Sequence, residues 1–333
     1  MRRQPGARST RAPPSAGRLP MTAADTAPVP RPVPPAPARY VGRFAPSPTG
    51  PLHFGSLVAA AASWLEAQAH DGRWLLRIED VDAPRCVPGA AADILATLDR
   101  FGFRWDGEVV YQSTRTAAYE AALEHLRSSE HAFPCGCTRA ELAAAPLARD
   151  GSRRYPGTCR NGLAPGRGAR AWRVRAEGVV RFEDGVQGWQ EEDLARDCGD
   201  YVVRRADGLF AYQLAVVVDD AAAGVTHVVR GADLLDSTAR QIHLHRLLGS
   251  AAPAHAHVPV ATNAAGEKLS KQTHALALDP AAPAPALLAA LAFLGQNPPP
   301  ELARATPAEV WAWARMHWHL AGVPRQRHAP APA

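Results

Sequence analysis

RFAPSPTGPLHFGS, residues 43–56, links two apolar segments through a loop of proline and glycine. The segment before it, 40–45, predicts a β-strand, and the alanine-rich 56–70 predicts a helix. RWLLRI at 73–78 then predicts a second strand. Strand, loop, helix and strand in that order form a parallel βαβ unit, whose ligands sit at the carboxyl ends of the strands. His53 immediately precedes the helix, where unpaired backbone N–H groups and the helix dipole favour phosphate.

Working outward, residues 88–102 and 114–130 predict helices, and 134–168 is irregular and rich in Gly and Cys. Short strands are expected at 171–182 and 200–205, the latter turning at Asp207-Gly208. A helix at 210–220, a strand at 225–229 and a helix at 233–248 then resume the alternation. The predicted class is α/β: a doubly wound parallel sheet interrupted by an inserted subdomain. A helix bearing Trp311, Trp313 and Trp318 is expected near the C terminus, with the indoles packed in a small core.

Charge narrows the function classes. The net +5 suggests a nucleic-acid binder, but residues 1–39 hold seven Arg against one acid, Asp25. The remainder is therefore close to neutral, about one charge to the negative side. With ten prolines and no hydrophobic periodicity, residues 1–39 predict a disordered tail, and 323–333 a shorter one. No apolar run approaches the roughly 20 residues that span a bilayer, so no membrane partner is expected. Only two of the 37 basic residues are lysine, Lys268 and Lys271, in KLSKQ at 268–272. Two ammonium groups on a short loop suit the negative charge that develops on a transferring phosphoryl or nucleotidyl group.

Five cysteines without an export signal argue against a disulfide framework. Cys135, Cys137 and Cys159 lie in the irregular segment and offer three thiolates to a structural zinc ion. The fourth ligand is open between Tyr155 and His131. Cys86 and Cys198 are expected to take no part. His243, His245, His255 and His257 form two H-x-H pairs, read as solvated helix and loop histidines and not as a second metal site.

Taken together, HFGS and KLSKQ resemble the HIGH and KMSKS signatures of class I aminoacyl-tRNA synthetases. RFAPSPTGPLHFGS, LLRIEDVD (75–82), DGLFAYQLAVVVDD (207–220) and VTHVVRGADLLDST (225–238) extend the likeness to the glutamyl-tRNA synthetase catalytic domain over about residues 40–295. Three departures stand out: Ser56 replaces the second histidine of HIGH, RGADL (230–234) replaces RGEDH, and Gln272 replaces the final serine of KMSKS. Only 61 residues follow Gln272, too few for a large helical anticodon-binding region. This truncated pattern resembles the glutamyl-Q tRNA(Asp) synthetases.

The resemblance implies a Rossmann-like catalytic domain at 40–102 and 200–275, and an acceptor-like zinc-containing insertion at 103–199. It also implies a short helical subdomain at 276–322. It implies that Arg43, Phe44, Ala45, Pro46, Ser47, Glu79, Tyr212 and Arg230 bind L-glutamate, the arginines taking carboxylates and Glu79 the ammonium. His53, Gly55, Ser56 and Lys271 would bind ATP with Mg²⁺. His53, Lys268 and Lys271 would serve as the catalytic set. For the zinc it implies Tyr155 as the fourth ligand beside the three cysteines.

The implied reaction is ATP-dependent formation of glutamyl-adenylate, followed by transfer of glutamate to queuosine at the wobble position of tRNA(Asp). The enzyme is expected to be a cytoplasmic monomer. A truncated glutamyl-tRNA synthetase acting at a tRNA 3′ end, and a non-catalytic tRNA-binding paralogue, are the alternatives.

Overall fold

The computed structural model describes residues 39–263, 265–269 and 276–332. Residues 1–38 of the tail expected at 1–39, and Ser270, Lys271 and Gln272 of KLSKQ, lie outside the described residues. Strand β1 (Val41–Phe44), helix α1 (Phe54–Ala69) and strand β2 (Arg73–Ile78) form the anticipated parallel unit, in register from Val41↔Arg73 to Phe44↔Leu76. Nearly every residue from Leu57 to Ala67 is buried. The alanines let α1 lie close to the sheet on one side and to C-terminal helices on the other.

Helix α2 (Ala90–Arg100) leads to strand β3 (Val110–Tyr111), which extends the sheet in parallel beside β2. Helix α3 (Thr116–Ser128), strand β4 (Ala132–Cys135) and the single turn α4 (Arg139–Leu142) follow, then strands β5 (Ala171–Val174), β6 (Val179–Asp184), β7 (Gly188–Asp193) and β8 (Tyr201–Arg204). Helix α5 (Tyr212–Ala222), strand β9 (His227–Gly231), helix α6 (Leu235–Leu247) and strand β10 (Ala254–Val258) build a second βαβ half, with β9 and β10 parallel. Strand β11 (Val260–Thr262), helices α7 (Pro283–Phe293) and α8 (Pro307–His317), and strand β12 (His328–Pro330) complete the chain.

The two halves meet where Val41 and Thr226 exchange hydrogen bonds, Thr226 N–H to the Val41 carbonyl and Val41 N–H to Thr226 Oγ1, each 2.9 Å. From that junction the chain winds outward to β2 and β3 on one side and to β10 on the other. This is the switch point at which an open α/β sheet leaves a crevice outside its strand ends.

Three expectations change. First, the sheets do not respect the boundaries at 103 and 199. The β6–β7 hairpin joins the catalytic sheet through His255↔Asp184, whereas β8 pairs with β5, itself paired with β4, in a separate antiparallel sheet. Backbone pairing across some 70 residues is a tertiary event that local pattern does not encode.

Second, the segment after 323 is not a free tail among the described residues. Its β12 pairs with β11, Val323 is buried, and Arg327 pairs with Asp236 at 2.9 Å. Gly295, at φ 74°, turns the chain where a β-carbon would meet the Gly322 carbonyl.

Third, His243, His245, His255 and His257 are all buried rather than solvated. They belong to no cluster of three or more metal-binding His, Cys, Asp or Glu side chains among the described residues.

The tryptophans do pack as a core. Trp311 lies beside Trp64 and Phe103, its indole N–H satisfied by the Phe101 carbonyl, and that of Trp318 by Glu66. Trp313, partly buried against the same core, stacks on His317. No helix of the described residues is long and apolar enough to cross a membrane.

Candidate active site and candidate metal centre

A cleft of about 860 Å³ opens at the switch point. It is lined by the ends of β1 (Arg43, Phe44), β9 (Arg230, Gly231) and β10 (Val258), by the loop from Ala45 to His53, and by Glu79, Tyr212 and Lys268. Every sequence-predicted glutamate and nucleotide residue that falls among the described residues lines it, Pro46, Ser47, Gly55 and Ser56 included.

The loop holds its shape through backbone bonds: Glu79 N–H to the Pro46 carbonyl, Val87 N–H to that of Pro48, and Leu278 N–H to that of Leu52. His53 occupies the N-cap of α1 in an extended conformation, with no acidic residue in the first turn to compete for an anion. Gly55 admits the imidazole, because a β-carbon at 55 would lie 3.2 Å from His53 Cε1.

Three buried charges, Arg43, Arg77 and Asp220, and the partly buried Glu79 underlie the cleft. Asp220 accepts from Arg43 Nε at 3.3 Å and from Arg77 Nη1 at 2.7 Å, and Arg77 Nη2 reaches Glu79 at 3.2 Å. Burial opposes ionisation of Asp220, yet the two guanidiniums outweigh it and hold its carboxyl down at about 2. For Glu79 the balance goes the other way: burial pushes its carboxyl up despite Arg77 and Arg43. Arg43, expected to bind substrate, is therefore already paired to a carboxylate.

Arg230 is not. It is buried, 5% exposed, and forms no ion pair within 4.0 Å with a carboxylate among the described residues. Its Nε donates to His257 Nε2 at 3.0 Å, its Nη1 to the Tyr212 hydroxyl at 3.3 Å, and its Nη2 to Thr238 Oγ1 at 3.0 Å and the Leu234 carbonyl at 3.3 Å. These four acceptors leave one of its five N–H groups, on Nη1, for a ligand.

At the other end of the cleft Lys268 pairs with Asp233 of RGADL, half in solvent. Arg77, Asp220 and Asp233 were not picked out from sequence. The available signal was an arginine inside an apolar strand and a pair of aspartates closing an apolar helix, both of which need partners if buried.

In the insertion, the Sγ atoms of Cys135, Cys137 and Cys159 lie within 4.8 Å of one another, Cys137 and Cys159 3.7 Å apart. The Tyr155 hydroxyl is 3.5 Å from Cys135 Sγ and 3.7 Å from Cys137 Sγ, and it accepts from the Cys159 N–H at 2.7 Å. A tetrahedral zinc with sulfurs at roughly 2.3 Å needs them roughly 3.8 Å apart, so the three thiols and the phenol fit one metal ion.

Arg173 sits over the Tyr155 ring at 4.0 Å. Burial raises the Cys135 thiol, but hydrogen bonds from Tyr155 and the Cys137 backbone, with Arg173, bring it below its ordinary value. His131, Cys86 and Cys198 are not in the cluster.

Comparison with known proteins shows the family. Residues 40–282 match the family described as tRNA synthetases class I (E and Q), catalytic domain. A glutamyl-Q tRNA(Asp) synthetase from Aromatoleum aromaticum is 68% identical over 293 residues, 88% of this chain and 93% of the relative. One from Thiobacillus denitrificans is 58% identical over 298 residues, 89% of this chain and 99% of the relative. Among solved structures, a glutamate-tRNA synthetase from Elizabethkingia anophelis superposes with a TM-score of 0.72 at 25% identity, covering 89% of this chain and 68% of that one. The chain belongs to the glutamyl-Q tRNA(Asp) synthetases, a family of class I synthetases related to the glutamyl enzymes.

Proposed function

We propose that this protein is an ATP-dependent ligase that activates L-glutamate as its adenylate and transfers it to queuosine in tRNA(Asp). The observation that carries the amino-acid half is Arg230. A buried guanidinium without a carboxylate costs several kcal/mol, which an incoming carboxylate offsets. Relatives named for the same reaction, matched over nearly their whole length, carry the tRNA half.

In the first step the α-carboxylate of glutamate attacks the α-phosphate of ATP and pyrophosphate leaves, so no protein nucleophile is required. Arg230 takes one carboxylate of the substrate, Tyr212 fixes the direction of that guanidinium, and Glu79 receives the ammonium. Arg43, tied to Asp220, forms part of the floor of the cleft. His53 and the N-terminus of α1 bind the phosphates, and Lys268 with Lys271 meets the charge that develops during transfer. Mg²⁺ bound with ATP would supply further positive charge to the phosphates.

In the second step a hydroxyl of the queuosine cyclopentenediol attacks the adenylate carbonyl, forming an ester and releasing AMP. Cys135, Cys137, Cys159 and Tyr155 would hold one structural zinc. Zinc there would crosslink a loop with little apolar core of its own. We place the enzyme in the cytoplasm as a monomer, since its substrates are ATP and tRNA and its cysteines are free.

The test uses labelled glutamate and tRNA(Asp) with and without queuosine. Transfer that requires queuosine is expected. Equal transfer to both substrates indicates a truncated glutamyl-tRNA synthetase, and absence of glutamate-dependent pyrophosphate exchange indicates a non-catalytic paralogue.

A further inference from the structure

Asp184 ends β6, outside the cleft, and is fully buried with His257 of β10. Its Oδ1 accepts the backbone N–H groups of Val186, Gln187 and His257 at 2.9–3.1 Å. Its Oδ2 lies 2.6 Å from His257 Nδ1. Burial opposes ionisation of Asp184, but the His257 ring and the backbone donors outweigh it and hold the carboxyl below its ordinary range, so it is an acceptor-only carboxylate and the proton between it and His257 sits on Nδ1. His257 Nε2 then carries a lone pair, and it is that atom which receives Arg230 Nε–H at 3.0 Å. Burial favours the neutral ring, pushing His257 down to about 4.

We infer that Asp184 and His257 are positioning residues for Arg230, a relay in which the β6–β7 hairpin fixes the imidazole tautomer and the imidazole fixes the guanidinium that receives the substrate carboxylate. An arginine side chain can direct its fork in several ways. Here Nε is aimed at an acceptor that exists in only one tautomer, and both Nη groups follow from that choice. The hairpin, which touches no substrate, thereby sets the affinity of the cleft for its amino acid. The identity of that amino acid as glutamate rests on the reading proposed above.

Asp184→Asn tests the relay nearly isosterically. The amide oxygen keeps the backbone N–H groups, so the amide NH₂ faces Nδ1 and forces the proton to Nε2, opposite Arg230 Nε–H. We expect the KM for glutamate in pyrophosphate exchange to rise at least tenfold, with the KM for ATP at saturating glutamate changed less than twofold.

His257→Gln, which can place an oxygen near the Nε2 position, is expected to retain more glutamate affinity than His257→Asn, which keeps only the donor toward Asp184. A purely structural role would not rank the two this way. Nitrogen-15 NMR of the imidazole should show the Nδ1–H tautomer in the wild-type protein. An Nε2–H tautomer, or a folded Asp184→Asn with wild-type glutamate KM, overturns the relay. An Nδ1–H tautomer in a wild-type protein that shows no exchange with glutamate supports the relay and overturns the amino-acid assignment instead.

Discussion

Arg43 and Asp220 face each other across 177 residues of sequence, Nε to Oδ1 at 3.3 Å, with both side chains 5% exposed. Asp220 also binds Arg77, so one carboxylate ties the C-terminal turn of α5 to β1 and β2 directly beneath the cleft. Removing it leaves Arg43 buried without an ion-pair partner among the described residues and takes from Arg77 its shortest one. Asp220→Ala is expected to destabilise the protein by about 3–5 kcal/mol in urea unfolding.

The same carboxyl makes a pH signature. It titrates at about 2 in the folded protein against an ordinary 3.8, so its stabilisation is complete above the higher value and is lost as pH falls through the window between them. The stability gap between wild type and Asp220→Asn should therefore narrow as pH drops from 4 toward 2, as read by denaturant midpoints. A constant gap would contradict an ionised Asp220.

Arg230→Met removes the buried guanidinium that has no carboxylate partner. Glutamate-dependent pyrophosphate exchange should lose about 100-fold or more in kcat/KM for glutamate, on the order of 3 kcal/mol. Because the variant no longer buries an unpaired charge, its melting temperature should not fall. A lower melting temperature with an unchanged glutamate response would assign Arg230 a structural role.

Gly55→Ala separates catalysis from stability. Alanine favours the first turn of α1, but its β-carbon at 3.2 Å from His53 Cε1 must displace the imidazole. We expect an unchanged or slightly higher melting temperature, with exchange slowed about tenfold. Equal activity would show that the His53 ring is not held for the nucleotide.

The cysteine cluster predicts one zinc per chain by elemental analysis, falling to well below one in Cys159→Ser. Chelation should expose the segment from Cys135 to Cys159 to protease while the catalytic sheet stays protected, since that segment's small cluster is separate from the main core. Full zinc content in Cys159→Ser would remove the site.

Ending the chain after Gly322 deletes β12 and the Arg327–Asp236 pair and uncovers β11. A fall in melting temperature of several degrees is expected. No change would mean that the segment adds nothing to the fold.

By itself the sequence determined the βαβ unit, the strand and helix that carry Arg43 and His53, and the three cysteines beside Tyr155. Each is written locally, as hydrophobic period, as Gly and Pro placement, or as spacing within a single loop. Motif likeness added the family.

Which charge meets which is settled only when the chain has folded. Arg43 and Arg230 look equivalent in sequence, yet one is neutralised by Asp220 at the end of α5 and the other rests on neutral acceptors from α5, α6 and β10. The H-x-H of β10 reads as ordinary polar chain until Asp184, 73 residues earlier, is brought against it. The value of a buried charge depends on partners supplied by distant segments, and no local pattern contains them.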